Sequence, residues 1–532
     1  MDFYLLAQEI TAKYSDKICF AERNLSYKDV WRLMQARAAF LKTHGFKAGD
    51  VVGILSRNSA DWCLTFGAIL ALGAVVLVMD VNWSLRESRE ILKKVKAKAV
   101  YVSPEFSAAD YSLTKHLLNS VDVEQPFLPD IQQKPDTIAA LFYTSGSAGQ
   151  PKIVALTHAN LIHTALVFYR EHLNINLSDT ILAFLPFYHV YGLVTGFLGG
   201  YFNGAAIIFQ NSPKSGDIIE SLTKYPITIF AATPQIFEFL FESVLKKIKA
   251  QARLKYFIII SALHIPKTPI LSGLLAGFFQ PIRLLLGKKV RFFISGGAPL
   301  KPKYFYYYER AGFKLLEGYG LTETAAGFCG NSVEKPKPAC VGKPFRGNFV
   351  KIHRPDTNGV GEIYLKGASV MAGYYHNPQA NKEAFDPESW FATGDLGFLD
   401  KDDDLHITGR KKNVIVLDSG KNIYPEELEP YYATSKLIKE LAVLGRRIAG
   451  REMVFAVIVP VVRLENCYQR VAEELARKSR RLSVHKKIKK FALSYEPLPR
   501  TSSGKIRLNE VSQNLDAGKY QTAKLSRRQL CL

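Results

Sequence analysis

The chain is predicted to be an α/β protein of several domains, and three features of its sequence lead there. From Met1 to about Asp130, helical periodicity alternates with short β-rich runs, the pattern of helices layered on sheet. The 532 residues, 48% hydrophobic and 12% aromatic, are too many for one ordinary core, and length alone suggests about three or four domain-sized units. Beyond Val341 the composition shifts to short strands and turns punctuated by glycine and Asn-Pro, as in a small β-subdomain.

In order, Asp16 to Ala21, Val51 to Leu55 and Ala99 to Ser103 read as strands, and Ser26 to Thr43 and Leu85 to Lys94 as helices. The helix from Ser26 has a plausible N-cap and keeps Val30, Leu33, Met34, Ala38 and Leu41 on one side, with Arg37 as the single charge in that stripe. The very apolar window Leu64 to Met79 contains Gly67 and Gly73 and falls short of the roughly 20 residues a spanning helix needs. A buried helix followed by the strand Ala74 to Val78 fits it better. Further on, Thr180 to Leu185, Ala205 to Phe209, Thr228 to Ala232 and Val290 to Ser295 read as strands, and Phe237 to Ile248 as an amphipathic helix. Leu254 to Lys289 mixes apolar triplets with Lys, Arg, Pro and Gly, which suits either a membrane-surface segment or a packed helical insertion. Val350 to His353, Glu362 to Lys366 and Leu405 to Thr408 supply the β-subdomain, with Thr393-Gly394-Asp395 inside it. A domain boundary is placed at Arg410 to Lys412, dividing residues 1–410 from 411–532. The tail reads helix, strand (Ala442 to Leu444), strand (Val454 to Pro460), helix, then a basic close containing Lys505.

Thr144 to Lys152, Thr-Ser-Gly-Ser-Ala-Gly-Gln-Pro-Lys, reads as a phosphate loop. Thr144, Ser145 and Ser147 offer hydroxyls, Gly146 and Gly149 let backbone N–H groups approach an anion, and Lys152 adds a cation. The spacing G-x-x-G-x-x-K departs from the Walker pattern. Its flanks, Ala139 to Tyr143 and Ile153 to Leu156, make it a link between strands, with the next helix capped near Thr157. A Gly/Ser connector has a similar composition, but Pro151-Lys152 argues against it. His189 follows Leu185-Pro186 just past a strand, a common place for a working side chain, although a lone histidine also serves as packing. Gly296-Gly297-Ala298 lets backbone approach a flat ligand. Within five residues, Tyr319, Thr322 and Glu323 offer an aromatic plane, a hydroxyl and a carboxylate.

The six cysteines lack C-x-x-C or histidine spacing, so neither a zinc site nor a disulfide framework is indicated, and a reducing cytoplasm fits. The opening Met-Asp-Phe-Tyr has no basic segment leading into an apolar run, so no secretory signal is expected. A net charge of +22 attracts polyanions in general. Zinc-finger spacing and RNP-like aromatics are both missing, which argues against nucleic acid.

Together and in this order, Tyr-Thr-Ser-Gly-Ser-x-Gly-x-Pro-Lys, Leu-Pro-x-x-His, Gly-Tyr-Gly-x-Thr-Glu, Thr-Gly-Asp, Gly-Arg-Lys-Lys and Pro-Arg-Thr-x-Ser-Gly-Lys resemble the adenylate-forming (AMP-binding) superfamily, most of all its long-chain fatty acyl-CoA synthetases. The resemblance implies a large N-terminal domain of stacked α/β subdomains with a β-barrel-like piece, and a small mobile α+β C-terminal domain. It implies an AMP-forming acid–thiol ligase that uses ATP, Mg²⁺ and coenzyme A. Residues 144–152 would hold the β/γ phosphates. Thr322 and Lys505 would offset charge at the α-phosphate, and Glu323 would ligate Mg²⁺. Adenine would lie between Tyr319 and Gly296, Gly297 and Ala298. Asp395 and Arg410 would bind the ribose, His189 would neighbour the acyl carboxylate, and Lys412 would be the hinge. Ala148 and Ile153 depart from the family's usual threonine and glycine.

The expected substrate is a medium- to long-chain fatty acid, with Gly318 at the pocket floor and apolar residues in Ile227 to Phe237 admitting the chain. The acceptor is CoA, the alternative being the phosphopantetheine of a carrier protein. A non-catalytic nucleotide or lipid sensor is the rival from another class. Basic residues crowd Leu254 to Arg291 and Arg470 to Arg528, which predicts peripheral contact of a cytoplasmic protein with anionic membrane.

Overall fold

The computed structural model describes residues 1–118, 127, 129, 133–144, 152–264, 276–418, 421–448, 450–462, 466–500 and 506–523. It forms two compact units: Met1–Val350 with Leu365–Phe391 and Asp403–Leu405, and Lys351–Tyr364 with Ala392–Asp402 and His406–Leu532.

The first unit holds two sheets. Among the described residues one has seven strands, in the order Gly373–Tyr374, Lys152–Thr157, Ile138–Thr144, Val75–Val78, Val51–Leu55, Ala99–Val102 and Thr114–Leu117. Its central strands run parallel and Val51–Leu55 is buried at every residue, as a strand covered on both faces must be. The other has nine, in the order Lys343–Pro344, Cys329–Gly330, Lys314–Tyr319, Phe292–Ser295, Ile229–Ala232, Thr180–Ala183, Ala206–Phe209, Ile18–Phe20 and Leu25–Ser26. Helices Phe3–Tyr14, Tyr27–Thr43 and Ala60–Ala71 share one apolar cluster with residues of both sheets, among them Val52, Val76, Phe20 and Ile207. The α/β layering expected from the alternation is therefore present.

Local chemistry sets the helix starts. Ser26 caps Asp29, Ser84 caps Glu87 and Thr157 caps Asn160, each pair as a reciprocal capping box. Arg37 is buried in its apolar stripe because Asp61 Oδ1 lies 2.5 Å from its Nη2 and Thr65 Oγ1 accepts from Nη1 at 2.8 Å. Some strands are shorter than expected: the one from Thr180 ends at Ala183, ahead of Pro186, and the one from Asp16 keeps only Ile18–Phe20.

Within Leu254 to Lys289 the described helices pack on the domain, as expected of a helical insertion. Helices Arg253–His264 and Gln280–Leu286 bury Ile259, Leu263, Ile282 and Leu286 in the core around the helix Pro234–Gln251. The same segment leaves Leu254, Phe257, Ile258, Phe278 and Leu284 exposed. No helix among the described residues is long and apolar enough to cross a membrane.

The second unit carries most of a four-stranded sheet, Asn348–His353, Gly361–Gly367, Phe391–Leu399 and Leu405–Arg410. A further sheet orders Ile438–Ile448, Arg451–Pro460, Lys490–Leu493 and Gln521–Ala523, with helices Pro425–Tyr432, Cys467–Ser479 and Leu508–Asp516.

Candidate active site

In the first unit, Ile138–Thr144 and Lys152–Thr157 pair antiparallel, and Thr144 stands opposite Lys152. The ends of the proposed phosphate loop are thereby fixed side by side. Ser145, Gly146, Ser147 and Gly149 lie outside the described residues. The edge strand Gly373–Tyr374 pairs with Lys152–Thr157, setting Tyr374 opposite Val154. This brings the Tyr374 ring under Lys152, whose Nζ is 4.4 Å from the ring centroid. Tyr374 Oη donates to Glu323 Oε1 at 3.0 Å, so three chain segments converge on one point. Burial, then the adjacent Glu323 carboxylate, push the phenol well above its ordinary range, and it stays a donor.

Glu323 and Thr322 sit on a short turn, Thr322–Thr324, closed by Thr324 Oγ1, which accepts from Leu321 N at 2.8 Å. The turn folds back so tightly that a Cβ on Gly320 would lie 1.8 Å from the Ala326 carbonyl oxygen. Only glycine fits there. Tyr319, half-buried, ends the strand Lys314–Tyr319, which is parallel to Phe292–Ser295 with Glu317 opposite Ser295. Gly296, Gly297 and Ala298 therefore leave the sheet beside Tyr319, at the carboxyl ends of adjacent parallel strands, where open α/β sheets bind ligands. Gly297 has φ +82° and open space around its missing Cβ, so backbone and ring can flank a flat base. Beneath them Glu317 is buried, its carboxylate accepting from Leu300 N at 3.3 Å and Ala339 N at 3.1 Å. Burial nevertheless raises its pKa to about 7. His189 is half-buried beyond Thr180–Ala183 of the same sheet, its ring 4.8 Å from that of Tyr188.

In the second unit, Asp395 is buried in Phe391–Leu399, with Arg410 Nε 2.5 Å from its Oδ1. Thr393 braces the pair: its Oγ1 accepts from Asp395 N at 2.9 Å and donates to Ile363 O at 2.8 Å. Glu426 Oε1 accepts from Arg410 N at 3.3 Å and Asn413 Nδ2 at 2.8 Å. Lys412 lies in the turn Lys411–Asn413, its ammonium pKa lowered by burial and by Arg410. Lys505 lies outside the described residues.

The sequence pattern of the AMP-binding enzymes matches residues 7–375, well over half of the chain. The protein belongs to the AMP-binding enzyme family. This AMP-binding enzyme is 28% identical over 485 residues to the long-chain-fatty-acid–CoA ligase FadD15 of Mycobacterium bovis, spanning 84% of this chain and 78% of that one. It is 30% identical over 536 residues to 4-coumarate–CoA ligase 1 of Oryza sativa subsp. japonica, spanning 92% and 87%. In three dimensions it resembles ATP-bound MatB from Rhodopseudomonas palustris, with a TM-score of 0.80 at 24% identity over 97% of this chain and 100% of that one. The adenylate-forming likeness and the fold class read from the motifs are borne out. The relatives also include ligases named for aromatic acids, so they leave the acid itself open.

The residues present suit a nucleotide and a hard cation. In the first unit Tyr319 and the Gly296–Ala298 backbone suit a purine and Glu323 offers the oxygen that Mg²⁺ prefers; in the second unit, taken by itself, buried Asp395 offers an acceptor. Tyr374, Glu317 and Glu426 were missed in the sequence. Tyr374 lies on a two-residue strand that no periodicity can reveal, and the N–H groups that hold Glu317 and Glu426 come from residues 13 to 22 positions away along the chain.

Proposed function

We propose that this enzyme activates a medium- to long-chain fatty acid with ATP and passes the acyl group to coenzyme A. A carboxylate oxygen attacks the α-phosphorus, the bond to pyrophosphate breaks, and acyl-adenylate forms. The CoA thiol then attacks the acyl carbon and AMP leaves. The observation that best supports this reading is the convergence of Lys152, Tyr374 and Glu323 beside the Thr322 turn: a cation and a carboxylate suited to Mg²⁺ meet through one tyrosine. Residues 144–152 hold the β/γ phosphates, and Thr322 and Lys505 offset charge on the α-phosphate. Bound at Glu323, Mg²⁺ supplies electrostatic neutralisation of the phosphates. Tyr319 and Gly296 to Ala298 flank the adenine, Asp395 and Arg410 bind the ribose, and His189 neighbours the acyl carboxylate. Lys412 is the hinge between residues 1–410 and 411–532, so that Lys505 serves only the first half-reaction.

Likeness to a long-chain-fatty-acid–CoA ligase supports the fatty acid. Gly318, where an added Cβ would meet only Cys329 O at 3.4 Å, leaves room beside the turn. Phe230 and Phe237 are fully buried against Phe293, so these side chains of the Ile227 to Phe237 segment serve as core. Incubation with ATP, palmitate and either CoA or a holo-carrier protein tests the acceptor: palmitoyl-CoA is expected, and thioester on the carrier alone would overturn the CoA assignment.

Peripheral contact with anionic membrane is part of the same proposal. Residues 243–308 contain twelve Lys or Arg and no Asp or Glu, and Leu254, Phe257 and Ile258 are exposed beside Arg253 and Lys255. Each basic residue contributes about 1 kcal/mol near an anionic surface. Flotation with anionic liposomes is expected at low salt and lost at high salt; absence of flotation at low salt would refute the contact.

A further inference from the structure

Tyr374 stands where two parts of the phosphate site meet. We propose that it is a positioning residue, one that orients Glu323 for a divalent cation and keeps Lys152 available for nucleotide phosphates. The inference rests on reading the site as ATP-using.

Its backbone is fixed by bonds other than those its ring and hydroxyl make to Lys152 and Glu323. Tyr374 N donates to Asn381 Oδ1 at 2.6 Å, and Asn381 Nδ2 donates back to Tyr374 O at 3.2 Å. Strand pairing holds it opposite Val154, two residues from Lys152. Glu323 is tied to the same segment, because Met371 N donates to its backbone carbonyl at 2.8 Å. These constraints place a lysine and a glutamate near one tyrosine. A direct pair between them would neutralise both and leave neither for phosphate or metal. Instead the ammonium lies over the ring face at 4.4 Å, held by the ring quadrupole. Among the described residues it has no carboxylate partner. The hydroxyl lies in the ring plane and donates to Glu323 Oε1 at 3.0 Å. An ionised carboxylate only accepts, so this bond fixes its rotation, the role that outer hydrogen bonds play for metal-binding carboxylates.

Two substitutions separate the hydroxyl from the ring. Tyr374→Phe keeps the platform for Lys152 and removes the donor, while Tyr374→Leu removes both. Mn²⁺ is the probe, its affinity read by electron paramagnetic resonance in the presence of α,β-methylene-ATP. Calorimetry reads binding of the same nucleotide without metal, and circular dichroism checks folding. Tyr374→Phe is expected to weaken Mn²⁺ about tenfold and to change metal-free nucleotide binding less than about twofold. Tyr374→Leu is expected to weaken both. In a Glu323→Gln background, Tyr374→Phe is expected to add no further loss. Wild-type Mn²⁺ affinity in Tyr374→Phe, or an equal loss in the Glu323→Gln background, would overturn the proposal. If Tyr374→Leu fails to fold, the Phe and Gln variants still decide. Absence of pyrophosphate exchange in the wild type with every acid would overturn the ATP-using reading instead. Normal exchange together with unaltered Mn²⁺ binding in Tyr374→Phe would overturn the positioning role alone.

Discussion

Replacing Glu317 with glutamine should change how the stability of the first unit depends on pH. The carboxyl group lies in the core beneath Tyr319, and burial raises its pKa from 4.5 to about 7, against the opposing pull of the Leu300 and Ala339 N–H groups. An acid whose folded pKa exceeds its unfolded value holds its proton more tightly when folded. Stability is therefore highest below about pH 4.5 and is lost as pH rises to about 7. At about 1.4 kcal/mol per pKa unit, the loss is about 3 kcal/mol. His158 works in the opposite direction. Its Nδ1 accepts from Phe3 N at 3.3 Å, and burial lowers its pKa from 6.5 to about 4, so stability is lost as pH falls through that window, again by about 3 kcal/mol. In the wild type the two effects largely cancel between about pH 4.5 and 6.5. Glutamine leaves a pH-independent cost of about 1–3 kcal/mol, because its single carbonyl faces two N–H donors, and it exposes the His158 slope. All four tryptophans, Trp31, Trp62, Trp83 and Trp390, belong to the first unit, so urea unfolding followed by their fluorescence reads the relevant transition. The stability advantage of wild type over Glu317→Gln should shrink by about 3 kcal/mol from pH 4.5 to 7. An advantage that is flat or growing across that range would refute the assignment of a buried, proton-holding carboxyl.

Lys505→Ala should cripple adenylation while leaving transfer from supplied acyl-adenylate to CoA mostly intact; equal loss of both half-reactions, measured separately, would contradict its role in the first step alone. Lys412→Pro fixes φ near −65° and removes a backbone donor, so adenylation should persist while thioester synthesis falls, and normal overall turnover would sink the hinge. Asp395→Asn removes the charge paired with Arg410. It should raise the KM for ATP about tenfold or more, since hydrogen bonds to charged groups contribute about 1.5–3 kcal/mol, and an unchanged KM would remove Asp395 from the nucleotide site.

What could be read in the sequence is what local rules determine. The strand Val51–Leu55 follows its apolar run, and the helix Leu85–Lys94 starts where its Ser-x-x-Glu box places it. Thr157 caps its helix for the same reason. The phosphate-loop flanks were legible because two apolar runs bracket a Gly/Ser segment. Phe3–Tyr14 went unassigned although Phe3, Leu6, Ala7 and Ile10 form its buried face, and Leu508–Asp516 buries only Val511 and Leu515 within a basic tail, too weak a stripe to notice. The pairing of Gly373–Tyr374 with Lys152–Thr157 joins segments more than 200 residues apart, and the contact of Tyr374 with Glu323 spans 51. Such contacts follow from sheet order, which one sequence does not encode locally. Nothing local to Glu317 marks it as buried: the Leu300 and Ala339 N–H groups that its carboxylate accepts from lie 17 and 22 residues away.

The most direct test of the proposed chemistry is isotope exchange between pyrophosphate and ATP, with Mg²⁺ and a panel of carboxylic acids that includes palmitate and coumarate. Exchange that requires both acid and Mg²⁺, and is fastest with a medium- to long-chain fatty acid, is the expected result. Measurable ATP binding without exchange for any acid would contradict an adenylating enzyme and favour a nucleotide sensor built on the same fold.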